Sequence, residues 1–350
     1  MDSPVHQPDG RASSRRTVAL VAPSAGDGAL SGGYRYNAHL AAAGPDHGWE
    51  MHSTARLPLA RLPASDVVVI DSLSAWAAPL AAGKRRRPPC VGLVHQRPGG
   101  VDGWRLRRSL QRRLDAATYR ACDLVVSSSV TATDELIECG VDPDRIELVR
   151  PGCDLPPGRA RPPLGAGRRI GVVHVGNWLP NKGILQLLDC IASLPDHDVT
   201  LHLVGRTDVD PAYTALVRDR LARRGLRSRV VVHGPLGPAE VASLYAAADV
   251  FVFPSDRESY GTVVAEALAL GLPVVGWDRP HLRALVDDGV EGLLAPPGDV
   301  EALASALRRV ARDDDLRASL ADGAQARGRT LPRWRDATRL FYDALARLAE

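Results

Sequence analysis

Lysine is almost missing from this 350-residue sequence: arginine fills nearly every basic position, and Lys84 and Lys182 are the only lysines. Long apolar runs are missing too. None approaches the ~20 residues needed to cross a bilayer, which excludes a spanning helix. The first sixteen residues are polar and lack the apolar centre of a secretory leader, so 1–16 is expected to be a disordered tail. The five cysteines are scattered, odd in number and without CxxC spacing. That pattern argues against a disulfide framework or a zinc site and for reduced thiols in a cytoplasmic protein. A strong charge of one sign is also absent. The formal net charge of +3 is too small to argue for a nucleic-acid partner. Neither a GxGxxG dinucleotide fingerprint nor a P-loop lysine follows the first strand-like segment.

What is present is an ordinary globular composition, 45% apolar and 24% charged, at a length that favours two domains. Strand-like segments at 17–22, 66–70, 90–94, 123–126 and 145–149 alternate with helical stretches at 34–43, 74–82, 104–121 and 130–139. The strands are continuously apolar, as expected of a parallel sheet covered on both faces. A Pro- and Gly-rich stretch without periodicity, 155–168, reads as a linker. A second alternation follows. Strands are predicted at 169–175, 199–204, 229–232, 249–253, 274–275 and 292–294, and helices at 183–194, 211–224, 238–247 and 299–310. An amphipathic segment, 334–349, carries Trp334, Leu340, Phe341, Leu345 and Leu348. The predicted fold class is α/β, with two Rossmann-like domains, 17–154 and 169–330, facing a central cleft. A ligand is expected between them, where both sets of strand ends can meet it.

Several residues at predicted strand ends have chemistry to offer. The loop over 23–33 ends in Ser31-Gly32-Gly33, which suits either a structural turn or a ligand cradle. His95 lies just past a strand, at the ligand edge of the first sheet, where it is either structural or functional. Lys182 stands alone in Gly-Asn-Trp-Leu-Pro-Asn-Lys-Gly. In a chain that otherwise uses arginine, it points to a need for a compact ammonium rather than a guanidinium fork. The helix over 104–121, from Trp104 to Ala121, carries Arg105, Arg107, Arg108, Arg112 and Arg113 around an apolar row of Leu106, Leu110 and Leu114. It reads as a solvated face, or as a surface for anionic lipid at the inner membrane face.

The densest signal is Glu258-Ser259-Tyr260-Gly261-Thr262-Val263-Val264-Ala265-Glu266, which follows the strand-like Val250-Phe251-Val252-Phe253 and runs into a helix ending at Gly271. Two carboxylates thus bracket a strand-to-helix junction whose new helix N-terminus offers unpaired N–H groups. A hydrolase acid/base pair is one reading. Retaining hydrolases hold their carboxyls roughly 5–5.5 Å apart, whereas eight helical residues rise about 12 Å. Opposite ends of one ligand fit the spacing better. The Lys182 loop suits phosphate and the carboxylates suit hydroxyls, so a nucleotide sugar would satisfy both.

The run from Glu258 to Val275 resembles the E-x7-E region of retaining glycosyltransferases of family 4, which have the GT-B fold. The likeness extends to Gly176 with Lys182-Gly183, to Ala-Asp-Val-Phe-Val-Phe-Pro-Ser, to Pro296-Pro297-Gly298-Asp299 and to Ser31-Gly32-Gly33. Pro151-Gly152-Cys153-Asp154 resembles the segment before that family's linker, and the resemblance spans about 17–330. It implies that Lys182 binds the donor diphosphate and that Gly32 and Gly33 let the first loop approach it. Backbone N–H groups of Tyr260, Gly261 and Thr262 would contact diphosphate or sugar. Glu266 would hold the ribose, Glu258 would touch the transferred sugar, and His95 would lie near sugar and acceptor. The segment at Trp334 would cross back to the first domain as a C-terminal helix, 331–350. The family needs no bound metal or other cofactor, the nucleotide sugar being a co-substrate, and no DxD-type metal motif stands in the cleft loops.

Two departures stand out. Many members carry arginine where this chain has Asn177, leaving Arg206 or Arg35 as replacements, and the usual Gly-Gly-x-x-Glu is absent around Asp278-Arg279-Pro280-His281. The expected function is metal-independent, retaining transfer of a hexose-type sugar from a UDP- or GDP-linked donor to an acceptor hydroxyl on an unassigned small molecule, glycan or lipid-linked partner. A nucleotide-sugar epimerase and a nucleotide-sugar-binding protein without transferase activity are the competing readings.

Overall fold

A computed structural model describes residues 15–350 except 24–31, 57, 86, 101–104 and 224, and leaves the side chains of 105–107 undescribed. Most of the expected tail, together with Ser31 and Trp104, lies outside the described residues. The N-terminal half contains β1 (Arg16–Val21), α1 (Gly32–Ala43), β2 (Trp49–Thr54), β3 (Val67–Asp71), α2 (Pro79–Ala82), β4 (Cys90–Val94), α3 (Arg105–Ala121), β5 (Leu124–Ser127), α4 (Val130–Glu138) and β6 (Ile146–Leu148). Its six strands are all parallel, in the order β2-β1-β3-β4-β5-β6. The central strands are buried along their whole length because helices cover both faces.

The C-terminal half contains β7 (Ile170–Val175), α5 (Ile184–Ser193), β8 (Val199–Val204), α6 (Pro211–Leu221), β9 (Val230–Gly234), α7 (Pro238–Ala247), β10 (Val250–Phe253), α8 (Thr262–Ala269), β11 (Val274–Trp277), α9 (Pro280–Arg283), β12 (Gly292–Ala295), α10 (Val300–Arg312) and α11 (Asp314–Gly328). The strands run β12-β11-β10-β7-β8-β9, also all parallel. The winding reverses between β7 and β10, and a doubly wound sheet opens a crevice beyond its strand ends at that point.

Three elements differ from the sequence reading. β2 was unassigned, because its Trp-Glu-Met-His-Ser-Thr sequence is mostly polar; it is an edge strand that needs burial on one face only. Neither α9 nor α11 was foreseen. In α11 only Leu320 and Ala324 are buried. Its glycines mark close packing: a Cβ on Gly323 would sit 2.1 Å from the Val290 carbonyl oxygen.

The last helix, α12 (Trp334–Ala349), packs on the N-terminal sheet's core, in one cluster with Leu20, Tyr36 and Leu40. Trp334 stacks on His39 with ring centroids 3.8 Å apart, and the Tyr342 hydroxyl donates to the Leu40 carbonyl at 2.7 Å. The Trp334 backbone N–H donates to Asp154 Oδ1 at 2.6 Å, fixing where the chain turns back. Phe341 is fully buried here, so Phe341→Ala is expected to cost about 3–5 kcal/mol of stability. Arg339→Ala, on the exposed face, should stay within about 0.5 kcal/mol. Denaturant midpoints of the two variants check the contrast; equal shifts would contradict the packing of α12.

Candidate active site between the two sheets

The reversal of the C-terminal sheet places two loops side by side. The loop after β7 carries Lys182 on a short 3₁₀ turn, and the loop after β10 carries Glu258. Gly183 ends that turn with φ +67, and a Cβ there would lie 2.1 Å from the Pro254 carbonyl oxygen. Only glycine allows the two loops so close. The Lys182 ammonium consequently bonds Glu258 Oε1 directly, with both side chains mostly buried. Beneath them lies His174, wholly buried, whose Nδ1 contacts the Val252 carbonyl at 3.0 Å. Burial, helped by the nearby Lys182 charge, lowers its pKa to about 4, so it is neutral and the local positive charge belongs to Lys182.

Glu266 lies one turn into α8 with its side chain 1% exposed. Arg35, on α1 of the other half, reaches it with Nη2 2.7 Å from Oε1. This is an ion pair whose geometry falls short of a hydrogen bond, so both carboxylate oxygens still lack hydrogen-bond partners. Burial raises the Glu266 pKa, and Arg35 offsets only part of the effect. Gly261 caps α8 at φ +88, and Thr262 and Val263 open the helix, where N–H groups have no intrahelical acceptor. The halves come close here: a Cβ on Gly32 would be 3.5 Å from Thr262 Oγ1.

His95 forms the floor on the N-terminal side. Its Nε2 is 2.9 Å from Asn37 Oδ1 and 3.4 Å from Asp71 Oδ2, and Asn37 Nδ2 donates to the same Asp71 oxygen at 2.7 Å. Asn37 Oδ1 only accepts, so the Nε2–H donates to it. Burial works to raise the Asp71 pKa, but bonds and charge from His95, with bonds from Asn37 and the Leu73 N–H, hold it below the usual value. Gly33 packs on the imidazole, where a Cβ would stand 3.2 Å from His95 Cδ2.

One cleft of about 290 Å³ joins these features. Gly32, Gly33, His95, Asn177, Lys182, Glu258, Tyr260, Gly261, Thr262 and Glu266 all line it, as does Arg35. Arg206 does not. Its guanidinium engages Asp208 through two bonds of 2.9 and 2.8 Å, and its backbone N–H donates to Asn177 Oδ1 at 3.1 Å. A carboxylate two residues away offers the planar fork a bidentate partner. Asn37 and Asp71 escaped the sequence reading. Asp71 is the last residue of β3, so a carboxylate at a strand's carboxyl end was the available signal. Among the described residues, no three His, Cys, Asp or Glu side chains come together in a way that could hold a metal ion. On the basic helix, Arg112 pairs with Glu138 at 3.6 Å and Arg120 donates to the Cys139 carbonyl, while Leu110 is 61% exposed. No described helix is long and apolar enough to cross a membrane.

Two Rossmann-like halves closing on one cleft define a GT-B architecture. Known proteins agree. Residues 12–156 match the family model described as Glycosyltransferase Family 4, and residues 169–313 match the one described as Glycosyl transferases group 1. The chain belongs to glycosyltransferase family 4. It is 34% identical over 240 residues to a D-inositol 3-phosphate glycosyltransferase of Xylanimonas cellulosilytica, covering 65% of this chain and 57% of that protein. A protein of the same description from Saccharomonospora viridis is 35% identical over 237 residues, covering 63% and 54%. The chain thus spans little more than half the length of these curated relatives. Among solved structures, Anabaena Alr3699/HepE in complex with UDP-glucose superposes with a TM-score of 0.78 at 21% identity, over 95% of this chain and all of that one. Sucrose-phosphate synthase from Thermosynechococcus elongatus gives 0.79 at 21% identity, over 95% and 99%. At such identities the structures establish the fold.

Glu266 generates a prediction about stability. Its folded pKa lies above the unfolded value, so the stability tied to its neutral form is complete below the unfolded pKa and is lost as pH rises through the folded one. Glu266→Gln should therefore be more stable than the natural chain at pH 7, with Arg35 free to turn to water. The difference should vanish below about pH 4. Urea unfolding at the two pH values checks this; a variant less stable at pH 7 would contradict it.

Proposed function

We propose that this protein transfers a hexose-type sugar from a nucleoside diphosphate sugar, UDP- or GDP-linked, to an acceptor hydroxyl, with retention at the anomeric carbon and without a bound metal. The observation that carries the reading is the charge pattern of the cleft. Its two cations, Lys182 and Arg35, are each held by a carboxylate, Glu258 and Glu266, at the two ends of one strand-to-helix junction. A nucleotide sugar suits that set: the diphosphate takes the cations, and the hydroxyls of ribose and sugar take the carboxylates. Glu266 holds the ribose hydroxyls, which fill its two unpartnered oxygens. Glu258 binds the transferred sugar. Lys182 and the N–H groups at Tyr260, Gly261 and Thr262 bind the diphosphate, with Gly32 and Gly33 at its other side. Arg35, rather than Arg206, supplies the cation that Asn177 lacks, because Arg35 lines the cleft and Arg206 does not.

Transfer then proceeds in the closed cleft. The bond from C1 to the diphosphate oxygen breaks with its electron pair going to the leaving group, which Lys182, Arg35 and the α8 N–H groups stabilise. The acceptor oxygen bonds C1 on the same face, and its proton passes to the departing phosphate oxygen. His95, held by Asn37 and Asp71, orients sugar and acceptor. Exclusion of water suppresses hydrolysis of the donor. The similarity to D-inositol 3-phosphate glycosyltransferases and to a fold solved with UDP-glucose supports a nucleotide-sugar donor. The arginines and exposed Leu110 of α3 are what support a peripheral contact with anionic lipid.

Lys182→Ala should cost on the order of 2–4 kcal/mol of transition-state stabilisation, read as kcat/KM. Turnover near that of the natural chain would remove Lys182 from the mechanism. Glu266→Ala should weaken binding of the free nucleoside diphosphate, as calorimetry would show, and an unchanged Kd would count against the ribose contact. Mass spectrometry of donor consumption separates the readings: a new sugar isomer from donor alone means an epimerase, and donor binding without turnover across acceptors means a binding protein.

A further inference from the structure

A second cavity, of about 240 Å³, lies beyond the Ser259–Tyr260 wall of the cleft and shares both residues with it. Its charged lining is unlike that of the cleft. Arg150, just past β6, and Arg327, on α11, face it, and no carboxylate is among the lining residues. The Arg150 guanidinium makes no hydrogen bond or ion pair among the described residues. Arg327 gives one N–H to the Ala284 carbonyl at 3.0 Å, and its Nε has no partner. Two buried polar atoms on the lining residues are also orphaned: the Tyr260 hydroxyl and His281 Nε2, on residues 7% and 5% exposed. Buried polar groups without partners are uncommon, and several on one cavity point to a missing acceptor. The fifth contribution comes from α4. Ser129 caps that nine-residue helix by accepting the Ala132 N–H at 3.0 Å. The helix opens at Val130 and Thr131 on the cavity wall, where N–H groups have no intrahelical acceptor.

These groups line the cavity from both halves of the molecule: two guanidinium groups and a helix N-terminus, with a buried, unpartnered hydroxyl and imidazole nitrogen on residues of its wall. We propose that this cavity is a binding site for a phosphate group, either a phosphomonoester on the acceptor or free inorganic phosphate. A tetrahedral anion presents oxygens in several directions at once, which is what donors arrayed around a cavity require and what one planar carboxylate does not use fully. The position favours a role in acceptor choice. The cavity shares with the cleft Ser259 and Tyr260, which follow Glu258 directly, so a phosphate bound there can anchor a molecule whose hydroxyl reaches the sugar. That assignment to the acceptor rests on the transferase reading; phosphate binding itself does not.

The test uses the full chain and inorganic phosphate as the probe, titrated by calorimetry with the cleft saturated by UDP so that the donor site does not contribute. The natural chain should bind phosphate, and Arg150→Ala should weaken it by about tenfold or more. UDP binding should be unchanged in the variant, which also reports that its fold is intact. No phosphate binding by the natural chain, or binding that Arg150→Ala leaves unaltered, would overturn the proposal. Should neither UDP nor GDP bind, the transferase reading falls, and the Arg150→Ala comparison without nucleotide still decides the phosphate site. A second arm identifies the source. Arg150→Ala raising KM for a phosphorylated sugar alcohol but not for its unphosphorylated counterpart assigns the site to the acceptor. Phosphate binding that depends on Arg150, with equal KM for the two acceptors, assigns it to free phosphate.

Discussion

Two ion pairs across the cleft, Lys182 with Glu258 and Arg35 with Glu266, set what this molecule can bind. A mostly buried charge must be matched, and here each is matched by a partner that a ligand can replace. A simple anion would take the cations and leave two carboxylates stranded. A neutral sugar would take the carboxylates and leave the cations with nothing. A molecule carrying both phosphate and hydroxyls re-partners all four groups together, so the pairing acts as a filter for mixed chemistry. The second pair also joins the halves, since Arg35 stands on α1 and Glu266 on α8.

The pairs exist because of the sheets. Reversal of strand order between β7 and β10 brings the Lys182 and Glu258 loops together, and glycine at 183 lets them touch. The C-terminal helix anchors the chain back on the first half through Trp334 and Tyr342, and Trp334 packs edge-on against Tyr36, which in turn packs on His95. Glu266 shows the opposite economy: its charge is costly in the folded state, and beyond the ion pair with Arg35 neither of its oxygens accepts a hydrogen bond. Such a group is a sign of function rather than of folding.

Much of this was legible in the residues. Continuous apolar strands such as Val199–Val204 announced a covered parallel sheet, and Lys182, one of two lysines in an arginine-rich chain, stood out in its loop. The helix from Trp334 was legible from its spaced apolar residues, and its docking on the first half was expected only through the family resemblance. Illegible parts depended on distant partners. Trp49–Thr54 becomes a strand only because β1 lies beside it. Asn37 and Asp71 acquire meaning only when His95, from another strand, arrives within reach of both. Asp208 lay near Arg206 in the sequence, but its hold on that guanidinium was not visible there. Glycines in α11 signal packing, and in a sequence they look like helix breakers.

The account turns on what Arg35 does when a nucleotide enters. A crystal structure of the protein with a nucleoside diphosphate bound tests it most directly. The account predicts the ribose hydroxyls on Glu266, with the Arg35 guanidinium moved from that carboxylate onto the diphosphate beside Lys182. A nucleotide in the cleft with Arg35 still paired to Glu266 and the ribose elsewhere would contradict it.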